Sequence, residues 1–208
     1  MRKKAIILDL DNTVYPVSSI GDKLFESLFS LIQESGEYQG SFEDIRFRIM
    51  RQPFQVVASD FSFSEQLKSD CLALLADLTY EDNMEPFSGY ETLRSMPHRK
   101  YLVTTGFTKL QHSKIEQLGI GQDFEAIFVV DPSKSELTKK DIFRQILADN
   151  HYQPEEVLVV GDDLHSEIRA AKELGVETVL YNHNAEQPEV EDQKTIYSFR
   201  ELAPYLHI

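Results

Sequence analysis

Asp9 and Asp11 stand two residues apart in Leu8-Asp9-Leu10-Asp11-Asn12-Thr13, directly after the apolar run Ala5-Ile6-Ile7-Leu8. A carboxylate at the end of a buried strand can attack phosphorus and form an aspartyl phosphate. A second carboxylate two residues on can protonate the leaving oxygen and later take a proton from the attacking water. Two acids this close need a counter-cation, and Mg²⁺, which prefers oxygen ligands and retains water, suits them. A solvated turn is the competing reading of such a run, because Asp and Asn favour turns.

A second acidic cluster weighs against that turn. Val159-Val160-Gly161-Asp162-Asp163-Leu164-His165-Ser166-Glu167-Ile168 again places acids just past an apolar run and just before a helical pattern. Gly161 permits a tight turn, Asp162 falls at the strand edge, and Asp163 and Glu167 lie close behind. If two such edges converge, the resulting carboxylate pocket is unfavourable without a divalent cation. A third apolar run ends in Val103-Thr104-Thr105-Gly106, whose hydroxyls and backbone N–H groups can hold a phosphate oxygen. Cations for that phosphate come from Ser133-Lys134-Ser135-Glu136-Leu137-Thr138-Lys139-Lys140. Thr138 can cap the following helix, which would put Lys139 or Lys140 at an anion-attracting N-terminus.

These residues depend on elements that carry them to one place. The runs at 5–8, 101–103, 127–130, 157–160 and 178–181 show no alternation of apolar and polar residues, as expected of strands covered on both faces. Helical patterns separate them at 109–118, 139–148 and 166–174, the last closed by Gly175. Strands alternating with helices predict right-handed βαβ units, and hence an α/β fold with a Rossmann-like parallel sheet. Residues 19–95 lack strand character and carry helical periodicity instead, in Leu24, Phe25, Leu28, Leu31 and Ile32, and again in Leu67, Cys71, Leu74, Leu75 and Leu78. A crossover needs only about a dozen residues. The excess predicts a helical cap domain over 19–85, inserted into a core domain formed by 1–18 and 86–208, with hinges at 17–20 and 85–89.

The motifs together resemble those of the haloacid dehalogenase superfamily of phosphohydrolases, over about residues 4–18 and 86–182. Asp9-Leu10-Asp11-Asn12-Thr13 is similar to its first motif, Thr104 to its second, the lysine run to its third, and Gly161-Asp162-Asp163 with Glu167 to its fourth. The resemblance implies Asp9 as nucleophile and Asp11 as general acid and base. It implies Mg²⁺ held by Asp9, the Asp11 backbone carbonyl and Asp162, with Asp163 and Glu167 in the outer metal shell. Thr104, Thr105 and a lysine would bind the transferring phosphoryl group. Lys134, Lys139 and Lys140 compete for the lysine's part, and Lys139 is chosen from its spacing to Phe143. Glu167 stands where the family usually has Asp. The retained Asp11 argues for phosphoryl transfer over dehalogenation, since halide displacement needs no proton donor. Asp-Leu-Asp-Asn-Thr followed by Tyr15-Pro16 resembles the pyrimidine 5′-nucleotidase-like branch, which carries a helical cap in this position.

The expected function is therefore Mg²⁺-dependent hydrolysis of a small phosphate monoester, a nucleotide among the candidates. Alternatives are a phosphoglycolate phosphatase, a sugar-phosphate mutase, or a phospho-accepting signalling domain that does not turn over. Composition agrees with a small partner. Thirty-five acidic residues against 21 basic ones leave a net charge of −14, which disfavours nucleic-acid polymers and anionic membranes. A single cysteine, Cys71, excludes an internal disulfide. The short apolar run after the charged start fits neither a signal peptide nor a membrane span, so a cytoplasmic location is expected. In the insertion, Arg48 and Arg51 share a helix face and could reach a second anionic group, although solvent exposure or pairing with Glu43 and Asp44 is the simpler expectation. Phe54, Phe61 and Phe63 are expected in the core, and His112, His151 and His165 show no metal-ligand spacing.

Overall fold

The computed structural model describes residues 2–185, 188 and 190–206; residues 1, 186, 187, 189, 207 and 208 of the expected core domain lie outside them. Its sheet is wholly parallel, in the order β3-β2-β1-β4-β5-β6. In chain order the elements begin with β1 (Ala5–Leu8), α1 (Gly21–Leu24), α2 (Glu26–Ser35), α3 (Phe42–Ile49), α4 (Phe54–Asp60) and α5 (Glu65–Asp77). They continue with α6 (Tyr90–Ser95), β2 (Arg99–Thr105), α7 (Thr108–Leu118), β3 (Ala126–Val130) and α8 (Lys139–Asp149). Last come β4 (Val157–Gly161), α9 (Glu167–Lys172), β5 (Glu177–Tyr181), β6 (Thr195–Ile196) and α10 (Ala203–Leu206). The five strand runs anticipated from sequence are all strands. The two-residue β6 carries too little apolar pattern to be noticed.

Strand β1 shows why an unbroken apolar run reads as a covered strand. Ile6 and Leu8 point into one hydrophobic cluster and Ala5 and Ile7 into another, with all four at most 1% exposed. Successive side chains of a strand face opposite ways, so both faces here are core. The first cluster runs on without a break into the insertion, through Leu28, Ile32, Ile45, Val57 and Cys71. Helices α2 and α5 pack together, and α5 also packs on α7.

The insertion is helical from α1 to α5. Ser41 and Ser64 cap α3 and α5 by accepting from the N–H groups of Asp44 and Leu67, each satisfying a donor the helix leaves open. Pro53 is the N-cap of α4, a position where its missing N–H costs nothing, after the turn that follows α3. Among the described residues, no helix is long and apolar enough to cross a membrane.

The strand order places the site. From β1 the chain moves outward to β2 and β3, then returns to β4 on the other side of β1. Loops leaving β1 and β4 therefore part in opposite directions and open a crevice at the carboxyl edge, where ligands of open α/β sheets bind. Leu8 is level with Val160 on one side and with Leu102 on the other. Asp9 and Asp162 thus emerge beside each other.

Candidate active site

The carboxyl edge carries a cavity of about 730 Å³, floored by Asp9, Asp11, Thr104, Thr105, Lys139, Asp162, Asp163 and Glu167. Every site residue anticipated from sequence lines it. Phe25, Leu28, Phe54 and Leu75 of the helical insertion, with Arg51 and Gln52, form its other wall.

Asp9 is buried against Lys139, whose Nζ donates to Asp9 Oδ1 at 2.6 Å and to Glu167 Oε2 at 2.7 Å. Lys139 reaches inward because Thr138 caps α8 through a reciprocal box with Asp141, which makes Lys139 the first helical residue. The competing lysines bond other acids, although Lys140 also lines the cavity. Lys140 pairs with Glu173 at 2.7 Å, and the exposed Lys134 lies 3.5 Å from Asp131. Burial alone would lower the Lys139 pKa; Asp9 and Glu167 outweigh it and hold the ammonium firmly charged.

Carboxylate oxygens of Asp9, Asp162 and Glu167 all lie within 4.8 Å of one another. Burial, opposed by Lys139 and reinforced by Glu167 and Asp11, pushes the Asp9 carboxyl up to about 7. Burial, together with Glu167 and Asp9, also raises Asp162 well above the usual carboxylate range. One lysine cannot neutralise three acids, two of them buried and Asp162 half-buried. The donor set is all oxygen, and its excess negative charge fits a hard divalent cation such as Mg²⁺. Asp9, Asp162 and Glu167 are the residues that would hold it. Glu167 thus reaches into the cluster itself, its longer side chain seated beside Gly161, where no Cβ intervenes. Its Oε1 accepts the Asp163 N–H at 2.7 Å, while the Asp163 carboxylate accepts from His165 N–H at 2.7 Å.

Asp11 sits on the other side of Asp9 and accepts three hydrogen bonds. Lys114 Nζ donates to Oδ1 at 2.8 Å, the Tyr15 hydroxyl donates to the same oxygen, and Gln111 Nε2 donates to Oδ2 at 2.8 Å. Burial would raise the Asp11 carboxyl, but Lys114 and these hydrogen bonds bring it below its ordinary value. Gln111 also donates to the Thr104 hydroxyl at 2.5 Å. Gly106, at φ +154°, leaves room for this: a Cβ there would stand 3.1 Å from Gln111 Cδ. Asn12 takes the left-handed turn after Asp11 at φ +55° and accepts from Val17 N–H, a conformation Asn tolerates better than most residues.

Gln111, Lys114 and Asp131 carry no motif signal, and the sequence reading missed them. Asp131, at the end of β3, accepts from the Thr108 N–H and hydroxyl at 2.9 and 2.7 Å and from the Ser133 N–H at 3.0 Å. It thereby pins the start of α7, the helix that bears Gln111 and Lys114. Their spacing, one turn apart on one helix face, was the available hint. The insertion's arginines divide. Arg46 pairs with Asp22 at 2.8 Å and Glu43 at 3.5 Å, and Arg48 with Asp60. Arg51 lies over the Phe47 ring at 4.7 Å and lines the cavity. Phe54 and Phe63 are buried against each other, and Phe61 is partly buried on the same cluster.

Residues 3–175 match the haloacid dehalogenase-like hydrolase family. The chain belongs to that family. Relatives of this hydrolase include a glyceraldehyde 3-phosphate phosphatase of Methanopyrus kandleri, 24% identical over 85% of this chain and 82% of its own. A pyrimidine 5′-nucleotidase of Streptococcus pneumoniae is 22% identical over 96% and 93%. In fold, the hydrolase is similar to the magnesium-bound HAD-hydrolase YfnB of Bacillus subtilis, at TM-score 0.65 and 18% identity over the whole of both chains. The chain is a phosphatase of its family, acting on phosphoric monoesters.

Proposed function

We propose that this hydrolase cleaves a small phosphorylated metabolite, a sugar phosphate or a nucleotide, with Mg²⁺ and through an aspartyl phosphate on Asp9. The observation that carries the reading is the buried Asp9 bonded to Lys139, which also bonds Glu167, inside the cluster of Asp9, Asp162 and Glu167 carboxylates. Bound Mg²⁺ would offset the negative charge of the acids and of the incoming phosphate. Lys139 binds a phosphoryl oxygen and keeps Asp9 aimed, and the Thr104 hydroxyl offers a further donor. Asp9 attacks phosphorus. Asp11 gives a proton to the leaving oxygen, then takes one from the water that frees the phosphate.

The cavity's size and its second wall favour a substrate with a leaving group over a phospho-accepting domain without turnover. About 730 Å³ accommodates a sugar or nucleoside beside the phosphate. Both kinds of substrate occur in the names of the relatives. Phosphate release from a panel of sugar phosphates and nucleotides, with Mg²⁺ and with EDTA, tests the reading. Asp9→Asn should abolish release in a folded protein. Release that persists in that variant and in EDTA would refute the mechanism.

A further inference from the structure

Asp11 is held more completely than a lone acid–base group needs. Lys114, Gln111 and Tyr15 are 4%, 1% and 0% exposed, and all three spend a donor on its carboxylate. A carboxylate offers about four lone-pair sites. Two donors fill those of Oδ1 and one occupies Oδ2, which leaves a single site on Oδ2 for a proton from the cavity that Asp11 lines. None of the three partners accepts a proton back in this arrangement. Lys114 and Gln111 are one turn apart on α7, whose start Asp131 pins to β3, so the pair is held as a rigid unit.

We propose that Lys114, assisted by Gln111, is a positioning residue for the hydrolytic half of the reaction. It fixes the Asp11 carboxylate as acceptor for the proton of the attacking water. In that half-reaction the water oxygen bonds to phosphorus and its proton passes to Asp11 Oδ2. The bond between phosphorus and the Asp9 oxygen breaks, and Asp9 regains its carboxylate as phosphate leaves. The inference rests on the phosphatase reading given above.

An aryl phosphate with a good leaving group isolates this step, because nitrophenolate departs without a proton. With p-nitrophenyl phosphate and Mg²⁺, Lys114→Met should lower kcat by about tenfold or more while kcat/KM stays within about threefold, so that KM falls with kcat. Rapid mixing should show a burst of about one equivalent of nitrophenol per chain, and acid quenching should trap labelled phosphate on the protein. A purely structural role for Lys114 would lower kcat and kcat/KM together without a burst; that result, or an unchanged kcat, overturns the proposal. Should Lys114→Met fail to fold, Lys114→Gln, which keeps one donor without the charge, is read by the same split. Wild-type protein without Mg²⁺-dependent turnover would instead refute the phosphatase reading itself.

Discussion

Gly161 lies directly beneath Glu167: a Cβ added to the glycine would stand 2.3 Å from the glutamate's Cγ and Oε1. The pair explains how a glutamate enters the acid cluster, because its longer side chain folds back over the one residue of β4 that has no Cβ. Gly161→Ala should displace Glu167, and Lys139 with it. Overpacking of this kind costs about 1–3 kcal/mol, a fall in Tm of roughly 2–12 °C for a chain of this size. Phosphatase activity should fall by about tenfold or more, since the displaced groups surround Asp9, the proposed nucleophile. Calorimetry and an aryl phosphate assay check both, and an alanine variant with wild-type Tm and rate would contradict the packing argument.

The lysines adjacent in sequence should behave as opposites. Lys139→Met strands Asp9 and Glu167 without their shared cation and should lower kcat/KM by about a hundredfold or more. Lys140→Met removes a half-exposed pair with Glu173 at the cavity's margin, worth about 0–1 kcal/mol, and activity should remain within about twofold. Parallel steady-state assays of the two variants decide it, and equal losses would mean the wrong lysine has been placed in the site.

Removing one acid from the cluster should separate stability from metal affinity. Without metal, Asp162→Asn relieves repulsion among Asp9, Asp162 and Glu167, so the variant should melt no lower than wild type. Adding Mg²⁺ should raise Tm in the wild type, because a ligand that binds only the folded state stabilises it. In the variant that rise should shrink. Thermal melts across a magnesium titration give the answer, and an undiminished rise in the variant would place the metal elsewhere.

Acid should reveal what Asp131 contributes. Burial would raise its carboxyl, but hydrogen bonds from Ser133 and Thr108 outweigh burial and bring it down to about 2. A folded pKa below the unfolded value of about 3.9 gives stability that is fully present above about pH 4 and lost as pH falls toward 2. The stability gap between wild type and Asp131→Asn should therefore be constant near neutrality and close between about pH 4 and 2. Urea denaturation at a series of pH values measures the gap, and one that stays open at pH 2 would count against the assigned hydrogen bonds.

How far the fold could be read in advance varied with the strength of local pattern. Apolar runs such as Val157–Val160 and helix signals such as Thr138 three residues before Asp141 are local, and each matches its element. The long helical stretch after β1 was equally plain, because no run within it alternates or stays apolar as a strand does. Strand β6 went unseen, being two residues with one buried side chain. Among the site residues, Asp9, Asp11, Asp162 and Glu167 stood out because acids after apolar runs are conspicuous. Gln111, Lys114 and Asp131 did not, since a Gln, a Lys and an Asp in such places are ordinary for a solvated helix and a loop.

By itself the amino-acid sequence determined where the five longer strands end and where the helices between them run, and therefore which carboxylates, hydroxyls and lysines could meet at one sheet edge. That information is carried by short-range preferences: apolar runs, caps, turn formers and spacing within a helix. Only the tertiary structure decided which of them do meet. The order of strands sets Asp9 beside Asp162, the rotation of α8 turns Lys139 inward and Lys140 out, and the packing of α7 against β3 brings Lys114 onto Asp11 across 103 residues of chain. Contacts of that range depend on how buried faces fit together, and no local pattern records it.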